Sequence, residues 1–179
     1  MGSALGKNHF ELLGLPVGFD VDIADLRARY RDLQRQLHPD RFASAPDAER
    51  RLSMQLTAQL NEAFHTLRDP VRRGQYLLEL RGVDARSETD TEMDPGFLME
   101  QMELRETLEA LREGREPRER LAQMAGDIEK RQNERINELS RCFKDPSPES
   151  ERRAGCVLRE MQFFQKLMHE IEALEEDLD

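Results

Sequence analysis

With 179 residues, 37% of them apolar and 36% charged, the chain has room for one ordinary domain or two small ones, in a composition that fits a soluble, helix-rich protein. There is no Trp, only two Tyr, and no stretch of alternating β-branched residues, so an all-α fold is expected. No apolar run reaches the length that spans a bilayer and the N-terminus lacks the regions of a signal peptide, so no membrane partner is expected and a cytoplasmic location is the default.

The net charge of −10 is unevenly placed. Residues 1–80 carry 11 Lys and Arg against 11 Asp and Glu, whereas residues 81–179 carry 16 against 26, the first hint of two parts. Neither half has the basic balance that backbone phosphates require, which argues against a nucleic-acid partner. Cys142 and Cys156, the only cysteines, form neither a Cys-x-x-Cys pair nor a four-ligand set with His9, His38, His65 and His169. No metal, other cofactor or disulfide is expected, and the two thiols read as small residues in or near a helical core.

Phe10, Leu12, Leu13 and Leu15, interrupted by Gly14 and Pro16, fit one or two helical turns tucked against a core. Asp20 is a candidate cap for a helix carrying Ile23, Leu26, Tyr30, Leu33 and Leu37 at steps of three and four. On the same helix Arg27, Arg31 and Arg35 recur every four residues, forming a second face roughly 120° from the apolar one. The helix should end at Leu37-His38-Pro39-Asp40-Arg41, because Pro39 drives His38 out of the helical region. His38 and Asp40 then sit on an exposed turn, and Arg41 extends the positive patch past it. An Arg row is by itself only a solvated face; its place beside this turn is what raises a binding role.

A second helix is expected after Pro46, with Asp47 and Glu49 at its positive end and Leu52, Leu56, Leu60, Ala63, Phe64 and Leu67 on one face. The two stripes can bury each other in an antiparallel pair. Asp69-Pro70 caps and starts a short helix with Val71, Tyr76, Leu77, Leu78 and Leu80, so the first domain is expected to end at Arg81.

His38-Pro39-Asp40 between two amphipathic helices, followed by Asn61-Glu62-Ala63-Phe64, Leu67, Asp69-Pro70, Arg73 and Tyr76, resembles a J-domain, the module by which co-chaperones activate a DnaK-type ATPase. Leu77 departs from the pattern, where many J-domains have Asp, and the chain lacks the Gly/Phe-rich linker and cysteine-rich zinc domain of general J-proteins. Read as an enzyme instead, His38 and Asp40 would be an acid/base pair, but no nucleophile, phosphate loop or metal set accompanies them.

Residues 82–94 are polar, acidic and without periodicity, and read as a linker. Asp94-Pro95 repeats the cap-and-start signature. The helix that follows has two apolar faces: Phe97, Leu104, Leu108 and Leu111 on one, and Leu98, Met99 and Met102, with Glu103 and Glu106 beside them, some 100–200° away. Either both faces are buried between neighbours, or the Met-rich one is kept for a partner, which could be a second copy of the chain. After Gly114 and Pro117 a helix carries Leu121, Met124, Ile128, Ile136, Leu139 and Phe143. Past the Asp145-Pro146-Ser147-Pro148 corner the last one carries Val157, Met161, Phe164, Met168 and Ile171, with Phe163, Leu167 and Leu174 on its flank. Residues 95–179 thus predict a C-terminal three-helix bundle.

The segment Phe97-Leu98-Met99-Glu100-Gln101-Met102-Glu103-Leu104-Arg105-Glu106, the size and the J-domain-first order together resemble the HscB-type J-domain co-chaperones of iron–sulfur cluster biogenesis. That resemblance implies a co-chaperone, not an enzyme, whose J-domain engages a DnaK-like chaperone of HscA type and whose bundle binds the cluster scaffold, of IscU type. The implied chaperone contacts are His38, Pro39, Asp40, Arg27, Arg31, Arg35 and Arg41; the implied scaffold contacts are Leu98, Met99, Met102, Glu103, Glu106 and Phe163. Met102 stands where Leu is usual in the family, a nearly volume-conserving exchange. The residues themselves leave open a J-domain co-chaperone for another client, or a helical adaptor whose J-like half only binds.

Overall fold

The computed structural model describes residues 6–38, 42, 45–83, 94–113 and 118–177. Seven helices run along it: α1 (His9–Leu12), α2 (Ile23–Leu37), α3 (Asp47–Arg68), α4 (Pro70–Leu80), α5 (Pro95–Glu113), α6 (Arg118–Lys144) and α7 (Pro148–Asp177). No strand occurs among the described residues, so the chain is all-α there. It divides into two compact units, Met1–Leu77 and Leu78–Asp179. Residues 84–93 of the expected linker, and Gly114 and Pro117 between α5 and α6, lie outside the described residues.

In the first unit α1, α2 and α4 begin where a side chain can occupy their leading amides, whereas α3 starts after Pro46 with no side-chain cap. Asn8 and Glu11 form a reciprocal capping box on α1. Gly14 follows at φ +65°, and its carbonyl accepts from Arg29 Nη1 of α2 at 2.7 Å. A Cβ there would meet the same nitrogen at 3.0 Å, so both the backbone and the close approach call for glycine. The cap of α2 is Asp22, not Asp20: Asp22 Oδ1 accepts from the amides of Ala24 and Asp25 at 2.8 and 3.2 Å. A capping oxygen reaches only two or three residues forward, and Asp20 is two residues before the cap position of a helix that starts at Ile23. Asp69 caps α4 as expected, accepting from Val71 and Arg72 at 2.8 and 2.9 Å.

Antiparallel α2 and α3 bury their stripes unequally. On α3, Leu56, Leu60, Ala63, Phe64 and Leu67 are buried, whereas on α2 only Leu26 is fully so and Tyr30, Leu33 and Leu37 are half-buried. The hairpin compensates with polar bonds. Tyr30 stacks on Phe64 with ring centroids 4.1 Å apart, its hydroxyl donates to Asn61 Oδ1 at 2.9 Å, and Gln34 Nε2 donates to that hydroxyl at 3.2 Å.

The second unit closes on Phe97, Leu104, Leu108 and Leu111 of α5, Leu121, Met124 and Ile128 of α6, and Phe164, Leu167 and Ile171 of α7. Phe97, Phe163 and Phe164 meet edge to face with centroids 5.7–5.9 Å apart. Leu167, expected on a flank of α7, is fully buried, while Met168 and Leu174 only border the core. Asp94 caps α5 through Gly96 N–H at 3.0 Å. At the α6–α7 corner Asp145 accepts from the Ser147 amide at 3.1 Å and from the hydroxyls of Ser147 and Ser150 at 2.8 and 2.6 Å. The Ser150, Ser147 bonds hold its carboxyl below the ordinary carboxylate value. Cys142 and Cys156 are free thiols, the first buried, which pushes its thiol up.

Further along the α6–α7 seam, buried Glu160 pairs with Arg135 and, at 3.5 Å, with Arg153, which also reaches Glu138 at 2.6 Å. Burial raises the Glu160 carboxyl above its ordinary value, against the pull of Arg135 and Arg153. A carboxyl raised by folding binds its proton more tightly in the native than in the unfolded chain, so its stabilising contribution is complete below the unfolded value and lost as pH rises through the folded one. Glu160→Gln cannot titrate. In urea denaturation its stability relative to wild type should therefore improve between pH 4 and pH 7; a relative decline over that interval would contradict the assignment.

Candidate functional site

The J-type motif divides into residues that hold the fold and residues that face outward. Asn61 takes the Tyr30 hydroxyl and Asp69 caps α4. Arg73 is buried, donating to the Leu67 carbonyl at 2.6 Å with its guanidinium 4.9 Å from the Phe19 ring centre. Burial pushes it below its ordinary value, opposed by Asp69 and Asp20. Tyr76 accepts the His9 amide proton at 3.0 Å and stacks on the His9 ring at 4.2 Å. All four are therefore supports, with Tyr76 tying α4 to α1 and Arg73 tying it to the end of α3 and to Phe19.

The outward residues lie on α2 and its end. His38 is exposed, at φ −56° and ψ 128°, out of the helical region as the following proline requires. Pro39, Asp40 and Arg41 lie outside the described residues. Arg27, Arg31 and Arg35 are all exposed on α2, with Arg31 and Arg35 bordering a surface depression of about 400 Å³. Arg35 pairs with Asp32, both largely in water, where such a pair contributes little. The row is thus a real positive face, partly offset at its third member.

In the second unit α5 resolves the question of its two faces. Phe97 is 3% exposed, but Leu98 is 44%, Met99 65% and Met102 64% exposed, with Glu103 and Glu106 in water beside them. The core occupies one side only, so among the described residues of this unit the second apolar face is uncovered. Its edges are set by neighbours: Glu100 pairs with Arg131 of α6 at 3.1 Å on one side, and Arg105 lies 5.7 Å over the ring of half-buried Phe163 of α7 on the other. Since Arg105 and Leu98 differ by only about 20° around the helix, Phe163 borders the Leu98 and Met102 side. Another depression, of about 730 Å³, runs along α7 at Gln162, Gln165, Lys166, His169, Glu170 and Ala173 and contains none of the expected site residues.

Residues 8–76 match the DnaJ domain family, and residues 93–172 match the family described as the HSCB C-terminal oligomerisation domain. A curated relative, the co-chaperone protein HscB homolog of Cupriavidus taiwanensis, is 45% identical over 170 residues, covering 95% of this chain and 94% of its own. The chain belongs to the HscB family of co-chaperones. Among solved structures, chaperone HscB from Vibrio cholerae is 36% identical with a TM-score of 0.84, covering 97% of this chain and all of its own. The human co-chaperone HscB is 30% identical, also with a TM-score of 0.84, covering 95% and 83%. The expected architecture, an N-terminal J-domain hairpin with short flanking helices followed by a helical C-terminal domain, is that of these HscB proteins. Among the described residues no group of three His, Cys, Asp or Glu gathers as a metal site, and no helix is long and apolar enough to cross a membrane.

Ser53 and Thr57, which sequence reasoning passed over, sit against the end of α2 and donate to the Leu37 carbonyl. Their signal was available: a serine at position 53 falls in the stripe continued by Leu56, Leu60 and Ala63, and a buried hydroxyl needs a partner.

If the uncovered α5 face carries no folding load, Met99→Ala and Met102→Ala should each change unfolding free energy by less than about 0.5 kcal/mol, whereas Phe97→Ala, on the core side of the same helix, should cost about 3–5 kcal/mol. Urea denaturation of the three variants checks the contrast; comparable losses at all three would place the second face in the core.

Proposed function

We propose that this HscB-family co-chaperone stimulates the ATPase of a DnaK-like chaperone of HscA type and delivers to it an iron–sulfur cluster scaffold of IscU type. The observation that carries the reading is that one chain pairs a J-domain with an uncovered Leu98, Met99 and Met102 face on a separate helical unit. The first offers a regulator's surface, the second a client's.

On the J-domain side, Arg27, Arg31, Arg35 and Arg41 would steer the α2 face onto an acidic chaperone surface, and His38, Pro39 and Asp40 would favour the chaperone's hydrolysing state by binding it better than the alternative. No bond is made or broken in this chain; the chemistry belongs to the partner's nucleotide. On the client side, Leu98, Met99 and Met102 supply apolar area, with Phe163 at its edge, and Glu103 and Glu106 set the charge a client must complement. Methionines suit such a surface because their unbranched side chains repack around an irregular partner. Tethering both sites in one molecule raises the client's local concentration at the chaperone, so modest separate affinities suffice.

A second reading has the same face pairing two copies of the chain, and it is favoured by the match of residues 93–172 to a C-terminal oligomerisation domain. Sedimentation of wild type and of the Leu98→Ala/Met99→Ala/Met102→Ala variant separates the two: a dimer lost in the variant favours self-pairing.

The decisive assay is steady-state ATP hydrolysis by an HscA-type chaperone with an IscU-type scaffold present. Wild type should stimulate; His38→Gln should fail while keeping its helical circular dichroism and its affinity for the scaffold. The triple α5 variant should bind scaffold at least tenfold more weakly, as expected when several central apolar anchors are removed together, and lose the scaffold-dependent part of the stimulation. Full activity of the triple variant would remove the physical basis for the client site, and full activity of His38→Gln would leave only a helical adaptor.

A further inference from the structure

The chain leaves α2 at Leu37 under a restraint applied from α3, and we infer that Ser53 and Thr57 are positioning residues for His38, an inference that rests on the ATPase-stimulating role proposed for that histidine. Ser53 Oγ donates to the Leu37 carbonyl oxygen at 2.8 Å and Thr57 Oγ1 donates to the same oxygen at 3.2 Å. The two residues stand four apart on α3, one turn, so both hydroxyls project from one face and converge on a single acceptor, whose two lone pairs can take both.

The geometry transmits directly to His38. A peptide group is planar, so Leu37 Cα, its carbonyl carbon and oxygen, and His38 N and Cα lie in one plane. Two donors that hold the oxygen from outside the helix also hold that plane, and with it the place from which the His38 side chain projects. The restraint falls at the point where it is needed, since Leu37 ends α2 and its carbonyl belongs to the last turn, which lacks the amides that fix interior carbonyls. Ser53 is 3% exposed and occupies a position in the α3 stripe where an apolar side chain would pack as well. A hydroxyl buried there is desolvated, a cost that its bond to Leu37 offsets. Neither hydroxyl belongs to the outward face formed by His38 and the α2 arginines, so the two residues act through Leu37 and not on a partner.

The test compares wild type, Ser53→Ala/Thr57→Val, the hydroxyl-keeping Ser53→Thr/Thr57→Ser, and His38→Gln in titrations of an HscA-type ATPase. Loss of two hydrogen bonds should raise the concentration of the Ala/Val variant needed for half-maximal stimulation roughly tenfold. The hydroxyl-keeping variant should stay within about twofold of wild type, and the Ala/Val pair should add nothing in a His38→Gln background. In amide correlation spectra the His38 resonance should shift while those of Ala63 to Leu67 stay in place, which a general loosening of the hairpin would not produce. Should the Ala/Val pair lose helical signal, Thr57→Val alone, which leaves the 2.8 Å bond intact, takes its place, with an expected rise of about threefold. An unchanged titration for the folded variant while wild type stimulates overturns the inference alone, as does equal loss in the hydroxyl-keeping pair. Absence of stimulation by wild type overturns the proposed function and the inference with it.

Discussion

The burial of one face of α5, and only one, is the constraint from which the C-terminal unit follows. Phe97, Leu104, Leu108 and Leu111 fall within about 60° of the helix circumference, and α6 and α7 close over that sector with Ile128, Phe164, Leu167 and Ile171. Glu100 with Arg131 and Arg105 over Phe163 then fence the sector on its two sides. What remains of the circumference is solvent, and there the sequence places a leucine and two methionines where a folding requirement alone would accept lysine or glutamate. An apolar patch that the fold neither needs nor covers is the kind of surface that a partner uses.

The J-domain solves a different problem with different means. A helix pair in which α2 contributes only one fully buried leucine has little apolar area to hold it, and the deficit is met by directional bonds. Tyr30 to Asn61, Gln34 to Tyr30, Arg73 to Leu67, Tyr76 to His9, and Ser53 and Thr57 to Leu37 each tie together residues or backbone whose relative placement matters. Hydrogen bonds contribute about 1 kcal/mol each, comparable to a partly buried aliphatic side chain, but they also specify orientation, which apolar contact does not. This explains why so much of the motif in α3 and α4 is polar without being a binding surface. The outward face can then be given to the α2 arginines and His38 without weakening the hairpin.

Helix identities were legible in the sequence because each rests on a local signal: proline and aspartate at helix starts, and apolar steps of three and four along them. The candidate surfaces were legible to the extent that they depend on position around a helix, as Leu98, Met99 and Met102 do. What the sequence concealed was pairing across helices. Asp20 is the cap that the sequence pattern suggests, and only the true first turn at Ile23 selects Asp22 instead. Glu160 looks like any surface glutamate at its place in a charged helix, yet it is buried because Arg135 and Arg153 arrive from α6 and from its own preceding turns. Arg73 looks like part of a basic surface, yet it spans from Leu67 to Phe19 inside the first unit. Each of these depends on a neighbour more than ten residues away or on the register of a helix start, which periodicity does not encode.

On the proposed reading the chain makes and breaks no bonds and acts through differences in binding, which places the demand on orientation more than on reactivity. If His38 is read by a partner as proposed, it has to project from a fixed point, and cross-links between elements supply that better than the turn itself. The Leu37 carbonyl is such a cross-link, and it lies one peptide plane from His38. The α5 face faces the opposite demand, because a surface built of methionines can conform to its partner without prior organisation. On the proposed reading, one unit would hold its cue on a hydrogen-bonded frame while the other keeps an adaptable apolar grip, the first for presentation to a chaperone and the second for accommodating a client.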